Sequence, residues 1–289
     1  MATGWQDPPE YRGGGGGVQL AMPPLTPGVR AVIWANAAVF LGLFLLYVLP
    51  ATRGFAFGVQ EWLGISPELW LRGIPPVWQL VTWGFLHSFT DPTHILFNML
   101  FLYFLGTMLE GIIGTRRFLA VYLSGVLVSG IATLGVGMSA ALLSSGGAAP
   151  TTIGASGAVF CIVVAMAALR PKTRVIFILF PITLRTLAIL YVGLNVFDLL
   201  LQFSGGAGSN VAYLAHVTGA GWGWILVKTG WIWRDPVAGL EERRRRVEER
   251  RGAQEDLQVD ELLAKISREG IHSLTARERS FLKRVSKRR

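Results

Sequence analysis

The chain has a single cysteine, Cys161, so no disulfide can form within it. That residue falls inside an apolar run, where a thiol serves as a small packing group. Charge is also scarce over most of the sequence. Charged residues make up 16% of the 289, and 27 of the 45 lie from Arg234 onward. The first 233 residues share the other 18, too few to cover a soluble domain of that size. No pair of acids and histidines has metal-ligand spacing such as H-E-x-x-H, so neither a metal nor a cofactor is expected. An unbroken basic stripe is missing as well. The sixteen Lys/Arg of the tail are interleaved with eleven Asp/Glu, which argues against a nucleic-acid partner and for attraction to anionic headgroups of a lipid bilayer. A secretory signal is not evident: residues 1–28 hold Gly13–Gly17 and several prolines but no apolar core, and read as a disordered cytosolic leader.

What the chain has in abundance is apolar sequence. Hydrophobic residues are 52% of the total and the mean hydropathy is +0.46. Six apolar runs predict an all-α membrane protein built as a six-helix transmembrane bundle: Val29–Leu49, Pro92–Ile113, Phe118–Leu142, Ala155–Leu169, Leu187–Phe203 and Val211–Trp233. The first loop is long and rich in Trp (Trp62, Trp70, Trp78, Trp83), which suits the membrane interface. Val175–Thr183, broken by Pro181, reads as interfacial too. Arg116 and Arg117 follow the second run, and Arg170, Lys172, Arg174 and Arg185 follow the fourth, whereas the loops after runs three and five carry no charge. By the positive-inside rule both termini are cytosolic and the odd-numbered loops lie outside.

The fourth run is too short to span, at about 22 Å of helix against a hydrocarbon core of roughly 30 Å. Its helix is therefore expected to begin below the outer surface, with the segment Ser144–Gly154 dipping in to meet it. Irregular backbone at that depth is tolerated where it lines a water-filled cavity. Ser156 opens this short helix, flanked by Gly154 and Gly157. It is either a helix N-cap or a nucleophile set beside unpaired N–H groups. His216 lies early in the sixth run, followed by Gly219 and Gly223, a small-xxx-small face that admits a close neighbour. If that neighbour is the fourth helix, His216 approaches Ser156 and can serve as its general base. His94 and Asn98 open the second run four residues apart, on one helical face, as candidate oxyanion donors. Asn98, Ser156 and His216 all fall at a similar depth below the outer boundary. Asp198 is open to two readings, a third member beside His216 or a structural hydrogen bond to another helix. Glu110 is expected to bond locally or to a neighbouring helix, and neither His87 nor His272 is expected in the site.

These motifs together, His94-x-x-x-Asn98, Gly154-x-Ser156-Gly157 and Ala215-His216-x-x-Gly219-x-x-x-Gly223, resemble those of the rhomboid family of intramembrane serine proteases, bacterial six-span type. The resemblance covers roughly residues 30–233. It implies an endopeptidase with a Ser156/His216 dyad and an oxyanion site of Asn98, His94 and the Ser156 N–H. It implies also an aromatic Phe160 packed near His216. Its substrates are expected to be single-span membrane proteins cut near the outer face, in a cell (inner) membrane. One departure concerns the first loop, where Trp78-Gln79 stands for a Trp-Arg pair and leaves the loop's supporting contacts open. Residues 29–233 are thus the expected protease domain, 234–256 a charged linker and 257–289 a cytosolic helical hairpin, with a second helix opened by the capping box Thr275-x-x-Glu278. The rival reading is a catalytically silent protein that binds transmembrane helices.

Overall fold

A computed structural model describes residues 24–73, 75–143, 151–177, 180–204 and 212–286. The side chains of 202, 203 and 212 are not described. The expected leader lies almost wholly outside these residues, as do most of the inward-dipping segment and the start of the sixth run. The chain divides into two compact units, Met1–Trp233 and Arg234–Arg289.

In the first unit α1 (Pro27–Val48) leads into a loop region of short helices, α2 (Arg53–Leu63), α3 (Pro67–Leu71) and α4 (Gln79–Thr82). The next helix starts sharply because Asp91 is its N-cap, accepting from Thr93 N, and Pro92 occupies the first turn. It runs as α5 (Pro92–Phe101), a π-helical turn over Leu102–Gly106, and α6 (Thr107–Ile113). Then come α7 (Thr115–Leu143), α8 (Ser156–Leu169), α9 (Leu184–Phe203) and α10 (Ala212–Lys228). Among the described residues four helical stretches are long and apolar enough to cross a membrane: Pro27–Val48, Pro92–Ile113, Thr115–Leu143 and Leu184–Leu201. Their outer faces carry large apolar side chains in the open, such as Trp34 at 68% and Ile189 at 65% exposure. Patches of that kind are tolerated against lipid, not water. The protein is a multi-pass membrane protein.

Two of the six expected spans are short. α8 has 14 residues and α10 has 17. α8 is apolar all round, and most of it from Gly157 to Ala167 is buried, which makes it the central post of the bundle. Glycines bring its neighbours close. A Cβ on Gly125 of α7 would lie 3.1 Å from Ala158 Cα. One on Gly219 or Gly223 of α10 would strike the carbonyl oxygens of Gly157 and Cys161. Helix backbones at such separation gain dispersion contacts that larger side chains would forbid.

The segment expected as purely interfacial is a two-stranded antiparallel ribbon, β1 (Arg174–Phe177) and β2 (Phe180–Thr183), with Arg174 opposite Thr183 and Ile176 opposite Pro181. Pro181 is compatible because proline is accepted on edge strands. Trp231–Trp233 forms a 3₁₀ turn after α10.

Gln79 accounts for much of the order in the first loop. It is fully buried, its Oε1 accepts from Ser66 N (3.1 Å) and Trp70 Nε1 (2.9 Å), and its Nε2 donates to the carbonyls of Glu61 and Trp62. The neutral amide thus ties α2, α3 and α4 together.

In the second unit α11 (Ala238–Glu269) is continuous across the segment expected as a charged linker. Its exposed surface is laced with i,i+3 and i,i+4 pairs such as Arg245–Glu249 and Arg246–Glu242. It stops at Gly270, whose φ of 81° suits glycine. α12 (Ala276–Ser286) opens on the capping box: Thr275 N donates to Glu278 Oε2 (2.6 Å), and Glu278 N to Thr275 Oγ1 (3.3 Å). The Thr275 N–H, with Lys265 at 3.1 Å, lowers the Glu278 carboxyl to about 2.

Candidate active site

Ser156 is the first residue of α8, not its N-cap; that position falls to Ala155, which offers no capping side chain. Two consequences follow. Among the described residues no side chain caps the N–H groups of the first turn, and the serine hydroxyl bonds elsewhere. It lies 2.7 Å from His216 Nε2. Both residues are half-buried. The approach depends on backbone contact between α8 and α10, since Gly219 sits one turn beyond His216 against the Gly157 carbonyl.

His216 is held on its other edges as well. Its ring stacks on Phe160 with centroids 4.4 Å apart and planes 10° from parallel. Phe160 stacks in turn on Tyr191 (4.3 Å, 7°), and Tyr191 on Phe101 (5.2 Å, 16°). This column of rings joins α10, α8, α9 and α5. Nδ1 of His216 lies 2.6 Å from Oδ1 of Asn195 on α9. Asp198, the carboxylate considered for that place, is three residues further along the same helix and is not the group at Nδ1.

Gly154 and His94 also border Ser156, and Asn98 and His87 pack against His94. Gly154 has φ 131° and would bring a Cβ to 2.7 Å from His94 Nε2 and 3.5 Å from Ser156 Oγ. The imidazole and the hydroxyl therefore border the space above this glycine, and only glycine fits there. Gly154 N donates to Trp83 O (3.0 Å), and Thr152 pairs with Ile65 through both backbone groups (2.9 Å each). These bonds fix the end of the segment that leads into α8.

Asn98 is buried, and its Nδ2 donates to His94 O (2.9 Å) and meets His87 Nε2 (3.2 Å). His87 was not expected here. Burial, with His94 beside it, lowers its pKa from 6.5 to about 3, so the ring is neutral and its Nε2 accepts from the amide. The two imidazoles stand edge to face at 5.1 Å.

Ser156, His216, His94, Asn98, Gly154 and Phe160 thus gather at one end of the bundle, and His87 and Asn195 join them. His87 carried a signal in its spacing, close before the second span. Gln79 departed from the resembled pattern, which drew attention to it without revealing its bonds. Asn195 was detectable only as an amide in the middle of an apolar run.

At the opposite end, Glu110 is buried and binds the start of α1. It accepts from Gly28 N (2.8 Å), Val29 N (2.8 Å), Thr26 Oγ1 (2.5 Å) and Thr115 Oγ1 (2.6 Å). An acceptor with four donors at a helix N-terminus is a structural clamp. Among the described residues no cluster of three or more His, Cys, Asp or Glu could hold a metal ion.

Fold and site together define a multi-pass membrane protein that carries a serine bonded to a histidine inside its helix bundle. Residues 75–232 match the Rhomboid domain, and the chain belongs to the rhomboid family. That family is typically one of serine proteases acting on transmembrane substrates within the bilayer, and proteolytically inactive members exist. Residues 245–288 match a family of unknown function (DUF6576). No curated protein matches the chain.

Proposed function

We propose that this protein is an intramembrane serine endopeptidase that cuts single-span membrane proteins in or near the outer part of their transmembrane segment. The observation that carries the reading is the 2.7 Å approach of His216 Nε2 to Ser156 Oγ at the uncapped start of α8. His216 takes the hydroxyl proton as Ser156 Oγ attacks the scissile carbonyl. The oxyanion forms beside the first N–H groups of α8 and the His94 ring. Collapse expels the amine, which receives the proton from His216 and leaves an acyl-enzyme. Water, deprotonated by the same imidazole, then releases the acid and restores Ser156.

Asn98 needs one adjustment to join the oxyanion site, because its N–H groups already point to His94 O and His87 Nε2. It acts either by sharing one of these hydrogens or by holding His94 in place. The proposed topology puts both termini in the cytosol and opens the site to the outside of the cell membrane. Residues 29–233 form the protease domain, and the tail is a cytosolic hairpin.

The test is cleavage of a model single-span substrate by purified wild type, Ser156→Ala and His216→Ala, alongside labelling with a fluorophosphonate probe. Wild type is expected to cut and to label, and both variants to lose roughly 10³-fold or more in rate. Folded wild type that neither cuts nor labels would overturn the protease reading and favour a helix-binding protein.

A further inference from the structure

We propose that Asn195 is a positioning residue for His216, selecting the tautomer and ring orientation that make Nε2 the base. The inference rests on the protease reading of the site for its kinetic consequences, but the tautomer itself is independent of that reading. Asn195 is buried, at 8% exposure, on the face of α9 turned toward α10. Its amide has one satisfactory orientation. Nδ2 lies 2.7 Å from the carbonyl oxygen of Tyr191, one turn earlier on α9, and must donate there. Oδ1 is thereby left facing His216 Nδ1 at 2.6 Å. A flipped amide would set oxygen against the Tyr191 carbonyl and is excluded on electrostatic grounds. Because Oδ1 can only accept, Nδ1 must carry the hydrogen. In the neutral ring Nε2 is then a lone pair, and that lone pair points at Ser156 Oγ, 2.7 Å away.

The arrangement does the orienting work that a carboxylate does in other serine hydrolases, without a charge. Phe160 fixes the plane of the ring by stacking, but a stacked ring can still turn about its normal or exchange tautomers. The bond to Asn195 removes that freedom. The titratable groups set against this assembly are His94 from α5, which acts on His216 through its charge, and Tyr191 from α9, which presents its ring to Phe160 rather than to Nδ1. A neutral orienter leaves the imidazolium formed during turnover without a counter-charge, so the step depends on the rest of the site to stabilise it.

Three variants in the full chain test this, each checked for folding by thermal unfolding. Asn195→Ala is expected to lower kcat by at least about tenfold while leaving KM within twofold, because orientation matters in the transition state rather than in substrate binding. Asn195→Asp supplies a charged acceptor that favours imidazolium, so the acid limb of the rate against pH moves to higher pH. Asn195→Leu, similar in volume, is expected to behave as the alanine variant. A readout separate from activity is ¹⁵N NMR of the His216 ring: wild type shows Nδ1 protonated, and Asn195→Ala shows a tautomer mixture. Unchanged kcat and pH profile in the folded alanine variant would overturn the proposal, as would a wild-type ring protonated on Nε2. If wild type proves inactive yet its ring carries the Nδ1 proton, the protease reading falls and the orienting bond stands.

Discussion

At the scale of single residues, one position in the site is closed to other side chains for two separate physical reasons. Gly154 combines a φ of 131° with a Cβ position 2.7 Å from His94 Nε2. Alanine there pays twice, about 1–3 kcal/mol for the backbone and a further displacement of the imidazole. Gly154→Ala is therefore expected to slow probe labelling of Ser156 by roughly 10²-fold while the bundle still folds, since the strain is confined to the turn before α8. Labelling kinetics with helicity by circular dichroism measure both halves of the claim; labelling at the wild-type rate would sink it. Much of this could be read in advance. Gly154, Ser156 and Gly157 are adjacent in sequence, and His216, Gly219 and Gly223 share one helical face, so their geometry follows from helix periodicity alone. Asn195 could not be read in this way. Its helix is apolar around most of its circumference, so no hydrophobic stripe tells which face turns inward. The sequence offered only the carboxylate, Asp198, as a group to orient the histidine and left its role open, whereas the amide three residues earlier meets the ring.

At the scale of elements, boundaries set by composition were legible and those set by hydrogen-bond geometry were not. Proline, glycine and aspartate punctuate the start of α5 and the end of α11, and the structure breaks at those positions. The π turn at Leu102–Gly106 left no mark in the sequence. A π turn accommodates an extra residue and so alters the angle between the faces on either side of it, with Asn98 directed to the site on one side and Glu110 to α1 on the other. The Arg174–Thr183 ribbon escaped for a related reason, because ten residues with a proline carry no clear period of two or of 3.6. Glu110 shows what an element-level contact is worth. Its four donors come from Thr26, Gly28 and Val29 at the start of α1 and from Thr115 at the start of α7. Glu110→Ala strands all four donors at a buried site and is expected to destabilise the bundle by about 2–4 kcal/mol. Glu110→Gln keeps one acceptor and costs less. Unfolding titrations in mixed detergent micelles rank the two against wild type, and equal stability of all three would remove the clamp from the account.

At the scale of the whole molecule, the charge distribution and the placement of the site can be checked against each other. Arginine and lysine gather after the second and fourth runs, and in the proposed topology those loops lie in the cytosol and the uncharged ones outside. Ser156 and His216 belong to the ends of α8 and α10 remote from Arg170 and Lys228, so under the proposed topology the site opens outward. The same proposal puts Glu110 and the start of α1 near the cytosolic face. The single cysteine makes the arrangement testable with little engineering. Cys161 is fully buried on α8, so it is expected to resist a membrane-impermeant maleimide in the folded protein. A second cysteine replacing exposed Thr90, beside the N-cap of α5, should react in intact cells. One replacing exposed Lys172, after α8, should react only once the membrane is opened. Labelling in the reverse pattern would invert the topology and place the Ser156–His216 pair on the cytosolic side. It would also require the basic loops to have crossed the membrane against the charge rule, with the site receiving substrates from the other leaflet.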